Sequence, residues 1–172
     1  MASRLIIIRG NSGSGKSTIA KRLQHELGCG TMLVPQDVLR REILRVKDGP
    51  DNPSIQLIYD TVLYGNSLGY NVILEGILVK KHYGTMLNEL LRTFDGDTFA
   101  YYFDLPFEET LKRHKTKLNT NDYGELEMRQ WWNDKDYLAI KQEKHFYHKQ
   151  SEDQIVRTIL EDIRIKGSRP VS

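Results

Sequence analysis

Short unbroken apolar runs alternate along this chain with longer stretches in which apolar residues recur every three or four positions. The first run, Leu5-Ile6-Ile7-Ile8, shows no polar alternation, which is the pattern of a strand buried on both faces. Thr31 to Pro35 predicts a second strand, Asn71-Val72-Ile73-Leu74-Glu75 a third and Phe99 to Asp104 a fourth. Phe146-Tyr147-His148 predicts a short fifth. Helical spacing fills the intervals. Thr18 to Leu23 and Val38 to Val46 read as helices; Ile55, Ile58, Val62 and Leu63 share a face of another, which Gly69 ends. Met86, Leu87, Leu90 and Leu91 form the next apolar stripe, and Pro106 followed by Glu108 and Glu109 suits a helix start. Ile155, Ile159, Leu160 and Ile163 make one face of a final helix.

Strands alternating with helices indicate βαβ units and a parallel sheet, hence an α/β fold. Lys47 to Pro53 reads as a loop. The interval from Lys112 to Lys149 departs from the alternation: it is highly charged and broken at Asn119-Thr120-Asn121-Asp122. This predicts a lid at about 113–132, its second part a helix running through Trp131 and Trp132. Beyond Lys166 the pattern predicts a frayed tail. No Pro/Gly/Ser-rich linker or internal repeat divides the 172 residues, so the expectation is one domain over 1–172.

Composition narrows the partners. A net charge of +2 does not by itself demand a nucleic acid or a membrane surface. The single cysteine, Cys29, excludes an internal disulfide and fits a reducing compartment. No apolar run approaches the ~18 residues of a membrane span, and no secretory apolar region is present, so a soluble cytoplasmic protein is expected. His25, His82, His114, His145 and His148 show no metal-ligand spacing.

The most specific chemistry lies between the first strand and its helix. Gly10-Asn11-Ser12-Gly13-Ser14-Gly15-Lys16-Ser17 matches G-x-x-x-x-G-K-[ST], the phosphate-binding loop pattern. Glycines let consecutive N–H groups turn inward as a nest for phosphate oxygens, and the following helix N-terminus, from Thr18, adds a favourable dipole. Lys16 can reach the β- and γ-phosphates, and the Ser17 hydroxyl suits Mg²⁺. The motif therefore predicts a bound nucleotide.

In open parallel sheets, ligands gather outside the carboxyl ends of the strands. Two acids stand there: Asp37 after the second strand and Glu75 at the end of the third. Phosphoryl transfer to a hydroxyl needs a carboxylate near the acceptor oxygen and cations around the transferring group. Asp37 fits the base or the orienting acid, although a helix N-cap ahead of Val38 explains it as well. Arg40, one turn on, can grip a polar or anionic substrate group; a solvated helix face is its plainer reading. Glu75, followed by Gly76, can serve the metal or the substrate. Arg113 and Lys117, four apart on the charged stretch, can close cations over the phosphates, with Arg129 a further lid candidate. A Trp131-Trp132 pair can stack on a base, but adjacent helix positions do not share a face, and packing explains one of them better.

With those residues in view, the chain resembles the P-loop kinases that phosphorylate hydroxyls of small molecules or nucleic-acid ends. The likeness is greatest to the group of polynucleotide 5′-hydroxyl kinases, zeta-type toxins, chloramphenicol phosphotransferase and gluconate- or adenylylsulfate-type kinases. Residues 10–18, Asp37-Val-Leu-Arg40 and Phe103-Asp-Leu-Pro-Phe-Glu-Glu-Thr-Leu-Lys-Arg113 carry the resemblance, which spans most of 3–118. It implies a three-layer α/β/α P-loop NTPase fold with a five-stranded parallel sheet in the order 2-3-1-4-5 and a helical lid. It also implies an ATP- and Mg²⁺-dependent kinase with catalytic Lys16, Asp37 and Arg113, Mg²⁺ at Ser17 and Glu75, and acceptor contacts from Asp37, Arg40, Glu75, Lys117 and Arg129. In the polynucleotide kinases an acid and an arginine placed like Asp37 and Arg40 are base and substrate-phosphate ligand. Lys117 stands where their lid pattern has arginine, so it lacks the bidentate fork. The acceptor implied is a nucleoside, sugar or antibiotic, with a nucleic-acid 5′ end or a nucleotide sugar as the alternative. A regulatory nucleotide switch is the other class, but no Asp here has Gly three residues later, and Asn133-Asp134-Lys135-Asp136 displaces the lysine of a guanine motif.

Overall fold

Five parallel strands, β1 (Leu5–Gly10), β2 (Thr31–Pro35), β3 (Asn71–Gly76), β4 (Thr98–Asp104) and β5 (Glu143–Tyr147), lie in the order β2-β3-β1-β4-β5 in the computed structural model. The structure describes residues 3–94, 96–116 and 123–167. Helices α1 (Lys16–Leu27), α2 (Ser54–Ser67), α3 (Lys80–Thr93), α4 (Phe107–Lys115), α5 (Glu125–Gln130) and α6 (Glu152–Gly167) complete it.

Strand alternation sorts the apolar side chains onto two faces. Leu5 and Ile7 of β1, Val72 and Leu74 of β3 and Ala100 of β4 pack with α2 and α3 through Ile58, Val62, Leu87 and Leu90. Ile6, Ile8, Ile73, Phe99, Tyr101 and Phe103 pack on the opposite face with α1 and α6 through Ile19, Leu23, Ile155 and Ile159. Both faces of β1 are therefore dry, and all six of its residues are buried. This sandwich holds the carboxyl ends of the strands level. Ile8 is opposite Glu75, and Glu75 is opposite Pro35. With ~4.8 Å between neighbouring strands, the loops leaving β1 and β2 are about 10 Å apart.

Three predicted elements differ in extent. The helix expected over Val38 to Val46 is a π-helical turn, Val38–Ile43. Its bonds are widened: the Leu44 N–H reaches the Leu39 carbonyl, and the Val46 N–H reaches Arg40. Arg45, at φ 55°, then turns the chain into the left-handed region and ends the coil. The lid helix stops at Gln130 instead of running through Trp131 and Trp132. The Asn133 N–H is taken by the Asn11 side chain, and that tertiary bond outweighs another helical one. The fifth strand begins earlier than Phe146 and ends before His148, because the Tyr147 N–H turns back to the Gln150 side chain. Of the stretch expected to form a lid, the structure describes the end of α4, α5 and the residues up to Trp132; Lys117 and the break at 119–122 lie outside the described residues, as does the tail beyond 167.

Candidate functional site

The phosphate loop is shaped by three glycines at positive φ: Gly10 at 147°, Gly13 at 77° and Gly15 at 96°. Two of them also sit where no side chain fits. A Cβ on Gly10 would lie 2.9 Å from the Phe103 Cβ, and one on Gly13 would lie 2.6 Å from the Thr110 carbonyl oxygen. Gly13→Ala is therefore expected to lower stability by about 1–3 kcal/mol, read as a drop in Tm, and to weaken nucleotide binding with it. A Tm equal to the parent's would refute this account of the loop. Gly15 precedes α1 and offers no side-chain oxygen to cap it, so the first amides of α1 face the loop's hollow.

Lys16 is buried and its Nζ lies over the loop, 2.8 Å from the Asn11 carbonyl and 3.3 Å from the Ser14 hydroxyl. Ser17 Oγ donates to Glu75 Oε1 at 3.0 Å. Glu75 reaches it because alternation puts Glu75 on the same face of β3 as Ile73, the face covered by α1. A hydroxyl and a carboxylate are hard oxygen donors, and Mg²⁺ asks one or two of these from a protein when phosphates and water fill the rest. The pair fits that ion. No group of three or more His, Cys, Asp or Glu assembles into a protein-only metal cluster among the described residues.

Asp37 follows β2 at the same edge. It makes no side-chain cap bond to the turn that follows it; its Oδ1 instead accepts from the Arg40 guanidinium at 3.0 Å. The Asp37 side chain stays 57 % exposed while Arg40 is largely buried and also donates to the Val46 carbonyl. Arg40 thus holds the carboxylate on its rim, open to a solvent-borne group. Beside it, Gln36 is buried against Gly76, whose missing side chain leaves it room, and its Oε1 accepts from the Leu78 N–H.

Arg113 comes to the loop from α4. Its NH1 donates to the Ser14 carbonyl at 3.1 Å, and its Nε to Glu109 at 2.8 Å. That bond holds the Glu109 carboxyl below the ordinary carboxylate range. A cleft of about 370 Å³ opens here, bounded by the loop, Phe103, Arg113 and the β5–α6 turn at Gln150 and Ser151. Its position against Gly13 to Gly15 leaves space for the rest of a nucleotide. Arg129 does not join this group: it pairs with Glu125 and lies 4.2 Å over the Phe107 ring.

The segment from Tyr123 to Asn133 is tied to Asn11 and Ser12 of the loop. Asn11 Nδ2 donates to the Asn133 carbonyl and its Oδ1 accepts the Asn133 N–H, at 2.7 and 2.9 Å. Ser12 and Tyr123 share a hydroxyl–hydroxyl bond of 2.8 Å, with Tyr123 stacked on His114 and edge-on to Trp131. Trp132 stands edge-on to Phe107. Sequence reasoning missed Tyr123, Gln36, Arg9 and Asp136. Only Arg9 gave a signal, a charge set directly after four apolar residues of a strand buried on both sides.

The comparisons with known proteins agree with this fold. A gluconokinase from Sinorhizobium meliloti 1021 superposes with a TM-score of 0.67 at 16% identity, over 98% of this chain and 99% of that one. The APS kinase of Mycobacterium tuberculosis, solved with AMPPNP and APS, gives 0.69 at 16% identity over 95% and 98%. A sugar kinase from Janibacter sp. HTCC2649 gives 0.71 at 19% identity over 94% and 95%. These likenesses establish the shared fold. No curated protein matches in sequence. The family model described as an AAA domain matches residues 5–139, from β1 through the phosphate loop to the residues just beyond the Asn133–Asp136 segment, and the chain belongs to that family.

Proposed function

We propose that this protein is an ATP- and Mg²⁺-dependent kinase that transfers a γ-phosphoryl group to a hydroxyl of a small molecule. One observation carries the reading: a phosphate cradle with a Ser17–Glu75 oxygen pair stands level with the exposed, arginine-held carboxylate of Asp37 at the carboxyl edge of one sheet. A switch protein has no use for such an acid; a transferase to an alcohol does. The loop amides and Lys16 hold the triphosphate, Asp37 orients the acceptor hydroxyl and takes its proton, and Arg113 stands beside the loop to meet charge on the transferring group. Ser17 and Glu75 would hold magnesium, which would neutralise charge on the phosphate oxygens. The resemblance to small-molecule P-loop kinases supports the acceptor class, and the exposed, unpaired Cys29 suits the cytoplasm. No helix among the described residues is long and apolar enough to cross a membrane.

The test is release of ADP from MgATP or of GDP from MgGTP, alone and with gluconate, adenosine, adenylylsulfate, chloramphenicol or a 5′-hydroxyl oligonucleotide. Slow turnover alone, rising about tenfold or more with one alcohol and preferring ATP, is expected. Turnover that no hydroxyl changes, with tight nucleotide binding by calorimetry, would instead make the protein a regulatory ATPase. Stimulation confined to the oligonucleotide would move the acceptor to nucleic-acid ends.

A further inference from the structure

We infer that Asp136 is a positioning residue that sets the acceptor side of the site against the phosphate loop; this rests on the kinase reading above. Arg9, wholly buried at the end of β1, donates through NH2 to Asp136 Oδ2 at 2.6 Å and through NH1 to the Asp136 carbonyl at 2.9 Å. The same guanidinium gives two bonds to the Leu78 carbonyl, at 3.1 and 3.0 Å, and one to Glu143 at 3.3 Å. Asp136 Oδ2 also accepts the backbone N–H of Lys80, the first residue of α3, at 2.9 Å. One carboxylate oxygen therefore joins β1 to the β3–α3 turn.

That turn borders the acceptor side. Leu78, held by Arg9 through its carbonyl, is held by Gln36 through its N–H, and Gln36 directly precedes Asp37. On the donor side, the segment that carries Asp136 is fastened by the Asn11 amide to Asn133. Asp136 is thus the point where bonds from the phosphate loop and from the Asp37 neighbourhood meet. The backbone around it is strained in the manner of an over-determined site: Leu78 at φ 45°, Lys135 at 47° and Ala139 at 59° are all non-glycine residues in left-handed conformations. Arg9 keeps its Glu143 partner when Asp136 loses its charge, so the fold tolerates the change while the turn loses its anchor.

Two variants isolate the effect. Asp136→Asn weakens the Arg9 and Lys80 bonds together. Lys80→Pro deletes the N–H together with the lysine side chain: proline is accepted at the first helical position, and Val79 at ψ 125° already has the extended backbone proline wants before it. Lys80→Ala, which keeps the N–H, is the control. With MgATP and the best acceptor of the panel above, Asp136→Asn and Lys80→Pro are expected to raise the acceptor KM about tenfold. AMPPNP affinity and acceptor-free ATP hydrolysis should stay within about twofold, and Lys80→Ala should behave as the parent. The double variant should be no worse than Asp136→Asn alone, since both remove one joint. Equal losses in acceptor KM and nucleotide affinity, or no loss in either, would overturn the assignment. Should no acceptor stimulate the parent, the kinase reading falls, and hydrogen exchange decides the joint separately. Faster exchange at the Leu78 amide in Asp136→Asn, with residues 10–17 unchanged, supports it, and identical exchange refutes it.

Discussion

Lys16→Ala is expected to reduce phosphoryl transfer by about 10²–10³-fold, measured as steady-state ADP release. The ammonium lies inside the loop's curve, buried and already bonded to the Asn11 carbonyl and Ser14 hydroxyl, so little reorganisation separates it from an incoming phosphate. A charge fixed in advance in a water-poor hollow acts more strongly than the same charge in solvent. Lys16→Arg should not rescue, because the guanidinium fork is larger than the buried ammonium it replaces. Calorimetry with MgAMPPNP should show weakened binding as well. Turnover within tenfold of the parent would mean that Lys16 is not at the transferring group.

Asp37→Asn is expected to lower acceptor-dependent turnover by about 10²–10⁴-fold with nucleotide affinity within about twofold of the parent. The asparagine keeps the shape and the bond from Arg40 but accepts no proton. Separation of the two readouts is the informative result, since Asp37 follows β2, about 10 Å across the sheet from the phosphate loop. Acceptor-free hydrolysis should change far less than acceptor-stimulated turnover. An Asp37→Asn variant that still transfers phosphate at the parent rate would return Asp37 to a structural role.

The strands and most helices were legible because their signals are local. An apolar run such as Leu5 to Ile8 requires two covered faces, and the β1–loop–α1 order follows from the motif itself. The sheet order came from the resemblance and was met in full. What stayed hidden joins residues far apart in the chain. The Asn11–Asn133 pair spans 122 positions and the Arg9–Asp136 pair 127, and neither has a periodicity that could announce its partner. Element ends were missed for two reasons: the long-range Asn11 bond takes the Asn133 N–H beyond α5, and a local turn takes the Tyr147 N–H to Gln150 at the end of β5. Arg129 looked like a lid cation by charge alone; the Phe107 ring and Glu125 claim it. Asp37 was read as acid or helix cap, and its bond to Arg40 in place of a cap favours the first without assigning it chemistry.

The protein's two indoles stand side by side, Trp131 against the ring of Tyr123 and Trp132 against that of Phe107, one bonded partner away from the phosphate loop. Its native emission spectrum is therefore a report from a single place. Any rearrangement of these ring contacts on titration with a nucleotide will register in the intrinsic fluorescence with no dye attached.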